Sequence, residues 1–189
     1  MNIVKIDNIF SLEQMRIINN AISILSEEID STLGRSCIWD IRNSFSQDIE
    51  DALENIVKNI TGAPLTMDHA VCVKYSAKYG QPNLPPHFDG DTNDLIINMQ
   101  LESNTSWDIG LNLETYTLKD NSAVIFNGNT EIHWRPHKEF KEGEYVKMLF
   151  IRFYNTENRS DYSYLPNYPS DPVFDKARAF RDSLKFGAK

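Results

Sequence analysis

The residues best suited to chemistry are His87 and Asp89, within Pro85-Pro86-His87-Phe88-Asp89-Gly90. In an extended strand alternate side chains share a face, so this imidazole and this carboxylate point the same way. They make two ligands of a candidate metal site. The third must come from elsewhere, and the chain's other histidines are His69, His133 and His137. His133 follows a run of strand-like segments, in Asn127-Gly128-Asn129-Thr130-Glu131-Ile132-His133-Trp134-Arg135-Pro136. Two histidines and one carboxylate on one face of a metal suit non-haem Fe(II) and leave coordination positions open. The same donors also suit Zn²⁺ activating a water for hydrolysis. His137, after Pro136, reads as loop, and His69, opening a strand, reads as structural. The run Asp89 to Asp94 lacks the glycine and glutamate that an EF-hand calcium loop needs, so Asp91 and Asp94 are read as a solvated turn or a lip of the site.

The elements that must position these residues follow from periodicity. Val4 to Phe10 alternates as a short strand. Ser11 and Gln14 form a capping box with Phe10 and Met15 as its staple, ahead of a helical stripe through Ile17, Ile18, Ala21, Ile22, Leu25 and Ile29. A second helix is expected from Ser46 to Asn59, ended by Gly62-Ala63-Pro64. From there strands dominate: His69–Tyr75, Leu95–Leu101, Asp108–Leu118 broken at Gly110, Ser122–Phe126 and Tyr145–Tyr154. Short strands separated by turns predict an antiparallel barrel or sandwich. A short helix is expected near 175–184, in a tail rich in Tyr, Pro and Asp.

Composition bounds the reading. A chain of 189 residues with 41% hydrophobic and 24% charged residues fits one globular domain. The expected division is helical support over 1–68, a β core over 69–155 and a tail over 156–189. Net charge is −8 and no Lys/Arg cluster stands out, so neither nucleic acid nor a membrane is expected as partner. Cys37 and Cys72 are too few for a disulfide framework, and the first residues lack an export pattern; a cytoplasmic setting is expected.

Three stretches together resemble one family. Val73-Lys74-Tyr75, Gly80-Gln81 and Pro86-His87-Phe88-Asp89 resemble the lead-in to the metal site of Fe(II)/2-oxoglutarate-dependent dioxygenases, in their prolyl-hydroxylase-like branch. Leu118 to Gly128 with His133 resembles the strand, turn and distal histidine of that branch, and Lys147 to Tyr154 resembles its closing strand. The resemblance covers roughly 71–154 and implies a double-stranded β-helix (a cupin-like jelly roll) with the N-terminal helices on its outer sheet. It further implies His87, Asp89 and His133 as metal ligands and catalytic centre, with Fe(II), 2-oxoglutarate and O2 as cofactors. The implied reaction hydroxylates a C–H bond of a small-molecule, amino-acid or peptide substrate and releases succinate and CO2. Tyr75 falls where that family hydrogen-bonds its cosubstrate, and Lys147 where it holds the distal carboxylate.

Lys147 also has a physical argument. It alternates with Leu149, Ile151 and Phe153, and a lysine on an apolar face asks for an anion. Arg135 is the second choice for that role, and Arg152, on the other face, the weaker one. Trp107, Trp134, Tyr162 and Tyr164 are candidates for an aromatic mouth. A zinc-type hydrolase and a non-catalytic metal-binding jelly-roll sensor remain the competing classes.

Overall fold

The structure, a computed structural model, describes residues 3–39, 41–62, 65–82, 84–89 and 94–155. The expected tail helix and Tyr162 and Tyr164 lie outside the described residues. The chain runs β1 (Val4–Asp7), α1 (Leu12–Ile24), β2 (Glu28–Asp30), β3 (Arg35–Ile38), α2 (Gln47–Thr61), β4 (Thr66–Ser76), β5 (Leu95–Ser103), β6 (Ile109–Leu111), β7 (Glu114–Tyr116), β8 (Ser122–Phe126), β9 (His133–Trp134) and β10 (Tyr145–Tyr154). Seven strands form a large antiparallel sheet in the order β1-β8-β5-β10-β4-β3-β2, and β7-β6-β9 form a small one facing it. Among the described residues no helix is long and apolar enough to cross a membrane.

Alternation on the large sheet divides the core in two. Ala70, Cys72, Leu95, Ile97, Met99, Ala123, Ile125, Leu149, Ile151 and Phe153 pack with Ile18 and Ile22 of α1 and Ile49, Leu53 and Val57 of α2. Their strand neighbours Val71, Val73, Tyr75, Ile96, Val124, Phe126, Val146 and Met148 face inward, against Trp107, Ile109 and Leu111 of the small-sheet layer. One face therefore seats helices and the other lines the chamber.

The N-terminal support is less helical than expected. The capping box is present: the Ser11 hydroxyl accepts from the Gln14 N–H at 3.2 Å, and Gln14 Oε1 accepts from the Ser11 N–H at 2.9 Å. But α1 stops at Ile24, and Ile29 belongs to β2 in a hairpin with β3 that extends the large sheet. One apolar residue four beyond Leu25 fits a helical stripe as well as a strand, and the turn glycine, Gly34 (φ +60°), carried the missing signal. The break expected at Gly110 falls instead at Asn112 (φ 53°) and Leu113, between β6 and β7.

Gly110 serves packing. It pairs with Trp134, and a Cβ there would lie 2.1 Å from the indole ring. Gly110→Ala is expected to cost roughly 1–3 kcal/mol by overpacking, read in a denaturant melt. It should also disturb metal binding, because the displaced Trp134 sits between His133 and Arg135.

Candidate metal centre and its cleft

Backbone pairing gathers the three candidate ligands. His87 and His133 exchange N–H···O=C bonds, both 3.0 Å. The Asp89 N–H donates to the Gly128 carbonyl and the Arg135 N–H to the Leu84 carbonyl, each at 3.0 Å. Residues 84–89 are thereby held antiparallel to 128–135, beside the small sheet. Extended backbone then aims His87 with Asp89, and His133 with Arg135, into one space.

The donors converge on a point. One ligand atom from each of His87, Asp89 and His133 lies within 4.8 Å of the others. Asp89 Oδ1 is 3.2 Å from His133 Nε2 and 3.5 Å from His87 Nε2. Donors bound to one ion at ordinary ligand distances sit about 3 Å apart, so the residues fit a divalent metal. The outer nitrogens strengthen the case. His87 Nδ1 is 2.7 Å from the Pro85 carbonyl and His133 Nδ1 is 3.1 Å from the Glu131 carbonyl. Carbonyls only accept, so each Nδ1 carries a proton and each Nε2 turns to the centre, as metal-binding imidazoles are held.

Electrostatics keep the carboxylate ready as a ligand. Burial pushes the Asp89 carboxyl upward, but bonds from His133 and His87 and the nearby Arg152 outweigh it and hold the group well below the usual carboxylate range. Burial disfavours the His87 imidazolium, yet Asp89 and the Pro85 carbonyl reverse the balance and raise its pKa.

The triad opens into a cleft of about 660 Å³, counted with its mouth. Tyr75, Asn98 and Arg135 form the inner end, Arg35 reaches toward Tyr75 from the side, and half-exposed Trp39 and partly exposed Arg152 stand nearer the mouth. Arg135 is only 5% exposed. Its guanidinium donates to the Trp107 carbonyl at 2.7 Å and to Asn98 Oδ1 at 3.3 Å, and it lies over the Trp107 ring at 5.1 Å. Among the described residues no carboxylate forms an ion pair with it, and burial brings its pKa down to about 10. Tyr75 is fully buried edge-on to Trp107, and burial raises its phenol, with Arg35 and Arg135 opposing.

The structure corrects the expectation for Lys147. It does share a face with Leu149, Ile151 and Phe153, but that face packs against the helices. Its ammonium reaches Asn19 of α1 at 3.5 Å and lines a separate cavity with Ile22 and Cys72. Both faces of the large sheet are buried, so alternation told which residues go together without telling which side the chamber occupies. By the same logic Arg152, ranked last, faces the chamber, with Nη2 4.0 Å from Asp89 Oδ2. His69 pairs with Asp68 at 2.9 Å, and neither it nor His137 joins the metal cluster. Trp134 lines the cleft, whereas Trp107 is a buried wall behind Arg135. Asp94 is half-buried and accepts from the Asn155 N–H at 2.7 Å, while Asp91 lies outside the described residues. Sequence reasoning missed Arg35, Trp39 and Asn98. Asn98 had a readable signal: a polar side chain amid the apolar run of β5 asks for a buried partner.

No family model and no curated protein matches the sequence. Solved structures match the fold. An oxidoreductase of the 2OG-Fe(II) oxygenase family from Burkholderia pseudomallei aligns with a TM-score of 0.62 at 9% identity, over 80% of this chain and 85% of that one. HygX from Streptomyces hygroscopicus, solved with nickel, 2-oxoglutarate and hygromycin B bound, gives 0.64 at 10% identity, over 82% and 83%. A prolyl hydroxylase from Trichoplax adhaerens, in complex with a hypoxia inducible factor peptide fragment, gives 0.62 at 8% identity, over 84% and 86%. The chain thus has the double-stranded β-helix fold of the 2-oxoglutarate–Fe(II) oxygenases.

Proposed function

We propose that this chain is an Fe(II)- and 2-oxoglutarate-dependent oxygenase that hydroxylates a C–H bond of a small-molecule, amino-acid or peptide substrate, releasing succinate and CO2. The observation that carries this reading is one cleft with a convergent His87–Asp89–His133 triad and, at its inner end, a buried guanidinium without a carboxylate partner among the described residues. A buried cation is costly until an anion joins it. A dicarboxylate that reaches from the triad to Arg135 supplies that anion.

The residues divide the work. His87, Asp89 and His133 hold the metal on one face. Fe(II), bound there with the keto acid, supplies the oxygen activation that couples decarboxylation to C–H oxidation. Arg135 receives the distal carboxylate, its fork aimed by the Trp107 carbonyl and Asn98. Tyr75, fully buried on the same cleft, offers its hydroxyl as a second donor at that end. Val71, Val73, Ile109 and Phe126 wall the chamber and keep bulk water from the reacting atoms.

The test is an anaerobic titration of iron-loaded protein with 2-oxoglutarate, watching for the visible charge-transfer band of a chelated keto acid. The band should form in the wild type and vanish in His87→Ala. An intact, iron-loaded protein without the band would sink this reading in favour of hydrolytic or sensory use of the site. Because Lys147 faces the helices, Lys147→Ala should leave the titration midpoint unchanged; a large shift would return that lysine to the cosubstrate site.

A further inference from the structure

The cleft carries three guanidinium groups, Arg35, Arg135 and Arg152, but its described lining includes one carboxylate, Asp89. This is not a by-product of a basic chain, because net charge is −8. The three are unequally engaged. Arg135 sits at the inner end, where the proposed cosubstrate terminates. Arg35 pairs through Nε with Asp30 at 3.1 Å, and its charge acts on the buried Tyr75 phenol. Arg152 meets a carboxylate at 4.0 Å, beyond hydrogen-bond reach, and that carboxylate is Asp89, whose other oxygen faces the two imidazoles. Once a divalent ion takes up Asp89, its pull on Arg152 weakens further. A partly exposed guanidinium then stands beside the metal centre on the rim, on the same cleft as the half-exposed ring of Trp39.

We propose that the rim selects a substrate bearing an anionic group, carboxylate or phosphate, which Arg152 receives with its planar fork while the body of the molecule lies in the cleft toward the triad. Guanidinium matches both anions bidentately, and electrostatic complementarity at a rim sets which molecules enter. The assignment rests on the oxygenase reading for what lies deeper in the cleft. Arg152 is thus a specificity residue, distinct from the cosubstrate's anchor.

The test uses the full chain loaded with nickel and saturating 2-oxoglutarate, which fills the inner site without turnover. Benzoate, phenyl phosphate and the uncharged benzamide are titrated by calorimetry, aromatic probes being chosen for Trp39. At least one anion should bind roughly tenfold or more tighter than benzamide. Arg152→Gln should erase that preference while the anaerobic 2-oxoglutarate titration of the variant stays at the wild-type midpoint. The two anion arms tell a carboxylate rim from a phosphate rim. Equal binding of benzamide, binding of none of the probes, or a preference that survives Arg152→Gln would each overturn the proposal. So would a displaced cosubstrate titration in Arg152→Gln, which would give Arg152 to 2-oxoglutarate. Failure of the oxygenase reading shows separately, as a wild type that forms no band.

Discussion

Asp89→Ala should abolish tight metal binding, weakening it by at least ~10²-fold, while the chain still folds. Loss of hydrogen bonds behind a ligand already costs about 10–100-fold in affinity, and here the ligand itself goes. Asp89 is also the group that both Nε2 atoms face, at 3.2 and 3.5 Å, so its loss leaves two imidazoles without their shared acceptor. Thermal melts with added Ni²⁺ or Fe²⁺ read the effect. Metal at 100 times its Kd stabilises the native state by about 2.7 kcal/mol, worth roughly 5–10 °C in Tm for a chain of this size. The wild type should show that rise and Asp89→Ala should not. An equal rise in both would place the metal elsewhere.

Arg135→Met should separate stability from cosubstrate binding. The guanidinium is 5% exposed, the groups it donates to are neutral and Asp108 acts on it only from beyond ion-pair distance, so the free protein bears a buried charge without an ion pair among the described residues. Replacing it by a chain of similar volume removes that cost but leaves the Trp107 carbonyl and Asn98 short of a donor, at roughly 1–3 kcal/mol. The two terms oppose, and the apo melt should move by no more than about 1 kcal/mol in either direction. The 2-oxoglutarate titration should move far more. Losing one partner of a buried charge pair costs about 2–5 kcal/mol, or some 30- to several-thousand-fold in affinity. Arg135→Lys should fall between, keeping charge but not the fork. A titration unmoved in Arg135→Met would remove this residue from the cosubstrate site.

The ease of reading these residues from sequence differed for physical reasons. His87, Asp89 and His133 were legible because side-chain type, alternation and the turn before His133 each carry local information. The strands β8 and β10 were legible to the residue, since turn residues bound them and their apolar runs are dense. The sidedness of β10 was not. With helices on one face and the chamber on the other, Lys147 and Arg152 alternate among equally apolar neighbours. Only the small sheet decides which face is inner, and β9 is two residues long. The β2–β3 hairpin escaped because its three- and four-residue strands alternate too briefly to outweigh a helical stripe.

The two-faced sheet makes adjacent positions answer to different selective pressures. Leu149 belongs to the helix-side core and Met148 to the chamber, though they are neighbours in the chain. Changes on the helix side, such as at Leu149, Ile151 or Ala123, tune how firmly the scaffold holds. Changes on the other, at Val71, Ile96 or Phe150, alter what fits inside. Effects at well-separated sites with no shared partners tend to add. A lineage can therefore bank stability on one face and spend it on new substrates on the other, and a directed-evolution library confined to every second residue of β4, β5 and β10 would explore specificity with the helical layer untouched.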